Sequence, residues 1–152
     1  MRPCCIGPLV LGLLLPTIAT ADNSKEEAIK MDRQQIKGIW RIVALEINGN
    51  KANADDARKL TVINGSDGTW SLLSEGKEIC QGTSSFDPTK KPKTIDFKIT
   101  EGGGKGNEHL GIYELGEKTR RLCFAPPANA RPTEFATALG SGHILVNFER
   151  EK

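Results

Sequence analysis

The chain has 152 residues, which is enough for one domain and excludes a second domain of enzyme size. Lys and Arg number 21 against 19 Asp and Glu, so the net charge of +2 carries no basic bias of the kind that nucleic-acid-binding proteins show. A hydrophobic content of 38% with 26% charged residues is typical of a globular protein and excludes a disordered one.

The N-terminus has the layout of a secretory signal peptide. Met1-Arg2 supplies positive charge, residues 6–18 are almost wholly apolar, and Ala19-Thr20-Ala21 is a small-x-small cleavage site before Asp22. The apolar run is shorter than the roughly 20 residues that cross a bilayer. We predict that residues 1–21 are a signal peptide and that the mature chain is exported, periplasmic or extracellular, with no stable membrane span after cleavage.

Two cysteines, Cys80 and Cys123, remain in the predicted mature chain. Export permits a disulfide, which would close a long loop and add roughly 4 kcal/mol of stability. Strand alternation argues against the bridge, because Cys123 points away from its apolar neighbours Leu122 and Phe124. A Cys80–Cys123 disulfide and two separate thiols both stay open, and the second is favoured.

Residues 22–37 predict a helical leader of two or three turns. Asn23 or Ser24 is suited to the N-cap, acidic residues follow in the first turn, and Gly38 ends the helix. The apolar face of this segment is narrow, so we expect the helix to dock across another element.

From Gly38 onward the pattern changes to short strands separated by turns. Gly82, in the middle of a long strand, indicates a bulge or bend. Strands are predicted at residues 39–47, 60–63, 69–73, 78–86, 93–100, 109–115, 120–125 and 143–148, with 133–138 partly extended. Eight or nine strands in hairpin order, with no crossover helices, predict an all-β antiparallel barrel or sandwich over residues 38–152.

The start and end of this domain resemble the lipocalin-like up-and-down barrel of eight strands. The residues that carry the resemblance are Gly38-x-Trp40 at the first strand, the sequential meander that follows, and Arg150 after the last strand. The resemblance implies that Gly38, Trp40 and Arg150 close one end of the barrel, with Arg121 as the second choice for the arginine. A cation–π contact of this kind contributes about 0.5–2 kcal/mol.

A further resemblance covers nearly the whole predicted mature chain. The segments that carry it stand in order, at Gly38–Val43, Asn48-Gly49, Phe86–Asp96, Gly111–Leu115, Leu122–Ala125 and Arg131–Phe135. The chain is similar to a family of exported proteins and modules of unknown function that is abundant in planctomycete bacteria. This resemblance implies a lipocalin-like barrel and implies no activity.

Residues suited to catalysis or metal binding are few. A zinc site needs three or four ligands, and the two histidines, His109 and His143, are far apart in sequence. Ser141-Gly142-His143 is too local for a nucleophile and its base, and residues 102–106 lack the spacing of a phosphate-binding loop. We predict a non-enzymatic protein with no cofactor, no metal and no nucleic-acid partner; a hydrolase or isomerase is the least favoured alternative.

The barrel interior and mouth are the predicted site. Small barrels of eight strands either fill with side chains or hold one small ligand. We predict an exported binding module that carries a small apolar ligand or contacts an envelope protein. The alternative is a structural or protein-interaction domain with a filled core. The predicted ligand-binding residues are Trp70, Phe86, Phe97, Tyr113, Phe124, Arg131 and Glu134.

Two of these residues have an alternative role. Arg131 and Glu134 follow the longest irregular stretch, so they either face a ligand at the mouth or hold that loop in place. The second role is favoured. The other interior candidates are mostly aliphatic: Ile42, Leu60, Val62, Leu72, Ile95, Ile99, Ile112, Leu122, Ile144, Val146 and Phe148.

Overall fold

A computed structural model describes residues 21–152, so the predicted signal peptide lies outside the described residues except for Ala21. Within this range no helix is long and apolar enough to cross a membrane. The elements are α1 (Ala21–Ile36), β1 (Gly38–Ile47), β2 (Asn50–Lys51), α2 (Ala54–Ala57), β3 (Leu60–Asn64), β4 (Thr69–Ser74), β5 (Lys77–Asp87), β6 (Lys93–Gly102), β7 (Glu108–Leu115), β8 (Thr119–Phe124) and β9 (Ile144–Arg150).

The strands form a closed antiparallel barrel, which confirms the predicted all-β barrel and excludes the sandwich. Each strand from β3 to β9 pairs with the next one, and β1 pairs with both β3 and β9. β2 pairs only with β1, so eight strands make up the wall. Residues 133–138 belong to the loop between β8 and β9 and form no strand.

The barrel has two different ends. At the end that α1 approaches lie the tight turns β3–β4, β5–β6 and β7–β8 and the C-terminus of β9. The opposite end carries the turns β4–β5 and β6–β7 and the long loop of residues 125–143. These are called the helix end and the loop end below.

Helix α1 is longer than the predicted two or three turns, because it is docked. It has 16 residues, about four turns. Trp40 Nε1 donates to the carbonyl oxygen of Ile36 at 2.7 Å, and Arg150 donates to the carbonyl oxygens of Gln35 and Lys37. These bonds satisfy carbonyl groups that the last turn of a helix otherwise leaves without partners.

Gly82 marks a break in register between β5 and β6, as the mid-strand glycine predicted. The pairing shifts between Gln81 and Gly82. A Cβ atom at residue 82 would lie 1.9 Å from the carbonyl oxygen of Lys98, so the two backbones approach too closely for any other residue.

Candidate ligand-binding cavity

The inward side chains do not fill the barrel, and a cavity of about 350 Å³ remains. Ile47 lines the cavity and is also 44% exposed, so the cavity extends to the rim at the loop end. The wall is almost entirely aliphatic and aromatic. It is formed by Ile42, Leu45, Ile47, Leu60, Val62, Asn64, Trp70, Leu72, Cys80, Ser84, Phe86, Ile95, Phe97, Ile99, His109, Arg120, Leu122, Phe124, Ile144, Val146 and Phe148.

Four of the predicted aromatic residues line this cavity: Trp70, Phe86, Phe97 and Phe124. Phe97 lies at the centre of the aromatic group. Its ring meets Trp70 edge-on at 5.8 Å and Phe124 edge-on at 4.9 Å, and it stacks on His109 at 4.9 Å. Such edge-to-face pairs contribute about 0.5–1.5 kcal/mol beyond their buried area, so they stabilise this side of the wall.

Tyr113, the fifth predicted aromatic residue, does not line the cavity. It is 2% exposed, and its hydroxyl donates to Asp32 of α1 at 2.7 Å. Burial, followed by the hydrogen bond to Asp32, raises the pKa of Tyr113. The residue lies near the helix end of β7 and joins the barrel wall to the helix instead of facing the cavity.

Arg131 holds the long loop against the outside of the barrel. Its Nη1 donates to the carbonyl oxygens of Ile95 and Gly111, at 3.0 and 2.7 Å, and its Nη2 lies 2.6 Å from Oδ1 of Asp96. Glu134, in the same loop, is exposed, and neither residue lines the cavity. The structure therefore places Arg131 in the loop-holding role that the sequence favoured.

Gly38, Trp40 and Arg150 meet at the helix end. Trp40 has no exposed surface, and the guanidinium of Arg150 lies 4.3 Å from the centroid of its ring. Gly38 adopts a φ of +119°, and a Cβ there would lie 3.0 Å from Nη1 of Arg150. A glycine at this position therefore leaves room for the arginine to reach the ring.

Arg120 is one of seven cavity residues that the sequence pattern did not predict, with Leu45, Ile47, Asn64, Cys80, Ser84 and His109. The guanidinium of Arg120 lies 4.2 Å from the ring of Phe148 and 5.3 Å from that of Trp40, and it forms part of the cavity wall. Burial, together with the charge of Arg150, lowers the pKa of Arg120 to about 9, so the side chain is still charged at neutral pH. Strand alternation with the inward residue Leu122 is the pattern that could have identified it.

Arg121, the second choice for the tryptophan partner, lies on the outer face instead. It forms an ion pair of 2.8 Å with Glu114, and its guanidinium lies 4.1 Å from the ring of Phe135. One position along β8 therefore separates an arginine of the interior from an arginine of the surface.

Both cysteines of the described chain are free thiols, so no Cys80–Cys123 disulfide is formed. Cys80 lines the cavity, whereas Sγ of Cys123 lies 3.6 Å from the carbonyl oxygen of Ala136 in the long loop. Burial raises the pKa of both thiols.

Ile112 was expected inside the barrel but lines no part of the cavity. It pairs with Cys123, and Gly111 occupies the inward position on β7.

The titratable side chains of the cavity are few and lie apart. Its described lining contains no Asp or Glu, and its titratable side chains are Cys80, His109 and Arg120. His109 lies near the loop end, whereas Arg120 pairs with Leu115, about 20 Å away along β7. Across residues 21–152, no group of three or more His, Cys, Asp or Glu is placed to hold a metal ion.

No family model matches the chain, and neither a curated protein nor a solved structure matches it. The resemblance to the planctomycete family therefore stays a prediction that rests on the residues quoted above. Function is therefore inferred from the geometry of the barrel and its cavity.

Proposed function

We propose that this protein is a non-enzymatic binding protein that carries a small apolar ligand inside its barrel. The observation that carries the proposal is the cavity of about 350 Å³ with an almost wholly apolar wall. Pockets for small molecules have volumes of roughly 300–1,000 Å³, with mostly hydrophobic linings and a few polar groups that fix the ligand's orientation. Arg120, Asn64 and His109 are polar groups of that kind here.

The apolar wall of the cavity also supports an occupant. Apolar surface in contact with water is unfavourable, and a bound apolar molecule removes that surface from water. An apolar ligand would therefore offset much of this cost.

We place the site of action outside the cytoplasm, in the periplasm or the extracellular space, on the evidence of the signal-peptide pattern in residues 1–21. The family proposed is the planctomycete-type family of exported proteins, and an envelope protein is the proposed macromolecular partner. The ligand would then be one that moves through, or is kept in, that compartment.

Native mass spectrometry of the protein purified from its own host tests the proposal, with a denatured sample as the control. A bound apolar compound that is lost on denaturation would support the carrier function and identify the ligand. A bare polypeptide mass, together with no binding of an added apolar probe such as decanol, would contradict it and leave the structural or interaction domain. The denatured mass also tests the export prediction, which requires the loss of residues 1–21.

A further inference from the structure

We infer that the ligand is a medium-chain monocarboxylate, bound with its carboxylate against Arg120 and its alkyl tail toward the loop end. The inference rests on the proposed function and adds the chemical class of the ligand. It is carried by the unpaired state of Arg120, by two further donors without partners in the same wall, and by the depth of the cavity.

Arg120 differs from Arg121 and Arg131 in having no anionic partner among the described residues. Arg121 pairs with Glu114, and Arg131 pairs with Asp96. Arg120 is 8% exposed and forms no ion pair with any residue of the described chain, and its Nε has no hydrogen-bond partner there. The charged group that acts on the pKa of Arg120 is Arg150, which is also a cation and repels the Arg120 charge. A buried cation with no counter-ion is costly, and a bound anion would remove that cost.

The same wall holds two other buried donors that have no hydrogen-bond partner among residues 21–152, Nδ2 of Asn64 and Nε1 of Trp70. These residues are cross-strand partners on β3 and β4, next to the turn at the helix end. Arg120 is the second residue of β8, beside the β7–β8 turn at the same end. Buried donors are normally satisfied, so this end of the cavity is short of acceptor atoms.

A carboxylate supplies the missing acceptors. It carries one negative charge and two oxygens, and a guanidinium donates to such a group through parallel N–H bonds. The Arg120 guanidinium lies over the rings of Trp40 and Phe148, and these rings supply no oxygen acceptor for its N–H groups. The described part of the cavity lining contains no Asp or Glu that would compete with, or repel, this group.

The depth of the cavity sets the length of the tail. From Arg120 to Phe124, near the loop end, β8 advances about 13 Å, or about 10 Å along the barrel axis once strand tilt is included. The wall between Arg120 and Ile47 at the exposed rim is mainly apolar, with His109 as the titratable residue near the loop end. An alkyl chain of medium length fits this depth.

Calorimetric titration with two probes of equal chain length tests the inference: decanoate and decanol at neutral pH. The protein is expressed from its complete coding sequence. We expect decanoate to bind ten- to a hundredfold more tightly than decanol, which is the ratio that hydrogen bonds to a charged group provide. Arg120→Met should abolish the preference by weakening decanoate alone, and Arg120→Lys should restore part of it. Arg121→Met, one residue away on the outer face, is the matched control and should keep the preference.

The outcomes separate this inference from the proposed function. Equal binding of both probes, tighter binding of decanol, or a preference that survives in Arg120→Met would overturn the carboxylate site and leave the apolar carrier intact. Binding of neither probe would overturn both. If Arg120→Met does not fold, the two probes on the unmodified protein test whether a carboxylate is preferred, and Arg120→Lys tests whether the preference depends on Arg120.

Discussion

The hydroxyl of Tyr113 donates a 2.7 Å hydrogen bond to Oδ2 of Asp32, which lies 81 residues earlier in the chain. The same oxygen accepts from Nζ of Lys93 at 2.9 Å. Asp32 is 7% exposed, so one buried carboxylate of α1 joins the helix to two strands of the barrel. The helix end of the barrel is therefore stabilised by a polar contact between elements far apart in sequence.

Removing this contact should loosen the helix end. Tyr113→Phe is expected to lower the free energy of unfolding by about 1–2 kcal/mol, because one buried hydrogen bond to a charged acceptor is lost. Asp32→Ala should cost more, about 2–3 kcal/mol, since it leaves the buried Tyr113 hydroxyl without an acceptor and also removes the partner of the partly exposed Lys93. Urea denaturation followed by circular dichroism measures both values. Asp56→Ala removes an exposed pair with Lys59 and serves as the control; losses no larger than in that variant would show that the contact contributes nothing.

Arg120→Met should leave the unliganded protein as stable as the original or make it more stable, by up to about 3 kcal/mol. Burial of the guanidinium lowers its pKa to about 9, which means that the folded state disfavours the charged form. Replacing a buried charge with an apolar residue of similar volume is often neutral or stabilising. Unfolding of ligand-free protein in urea tests this expectation. A loss of several kcal/mol would instead identify Arg120 as a purely structural support of Trp40 and Phe148.

Filling the cavity should block binding without unfolding the barrel. Leu72 lines the cavity, so Leu72→Trp is expected to weaken decanol binding tenfold or more while changing stability by less than about 1 kcal/mol. The volume of about 350 Å³ provides the room for the larger ring. Leu73→Trp, at the next position and outside the cavity lining, is the control for binding. Normal decanol affinity in folded Leu72→Trp protein would place the binding site elsewhere.

The two thiols should react slowly, and only one should respond to ligand. Burial raises the pKa of Cys80 and Cys123, so the reactive thiolate is scarcer at pH 7–8 than in an unfolded chain and increases as the pH rises. Alkylation by iodoacetamide, mapped by mass spectrometry, should therefore be faster after unfolding and at higher pH. Added decanol should slow the reaction at Cys80, which lines the cavity, and leave the rate at Cys123 unchanged. Equal protection of both thiols would indicate a general stabilisation instead of an occupied cavity.

Much of the fold was predictable because it depends on local patterns. Alternation along Ile95, Phe97 and Ile99 defines which face of a strand is buried, and hairpin spacing without crossover helices leads to an antiparallel meander. The same period of two predicted that Trp70, Phe86, Phe97 and Phe124 face inward, and all four line the cavity. Helix α1 was predicted in place but too short, because its last turns are stabilised by contacts with the barrel.

Alternation states which side of the wall a residue faces, but not its height along the barrel or its neighbours across it. Tyr113 alternates with the inward residues of β7 and yet does not line the cavity. It lies close to the helix end, where its hydroxyl reaches Asp32 of α1. Arg120 is an inward cation. Only the assembled barrel of eight strands shows that no described Asp or Glu pairs with it.

The sequence by itself determined the class of fold, the inward aromatic residues and the absence of a strong catalytic motif, since each follows from residue type and spacing along one strand or turn. Only the tertiary structure decided that the interior is hollow, that the cysteines stay apart and that Arg120 lines the cavity. The volume left inside a barrel is the volume that the closed sheet encloses minus the summed volume of the inward side chains of its eight strands. That difference is a property of the closed sheet and of no single segment.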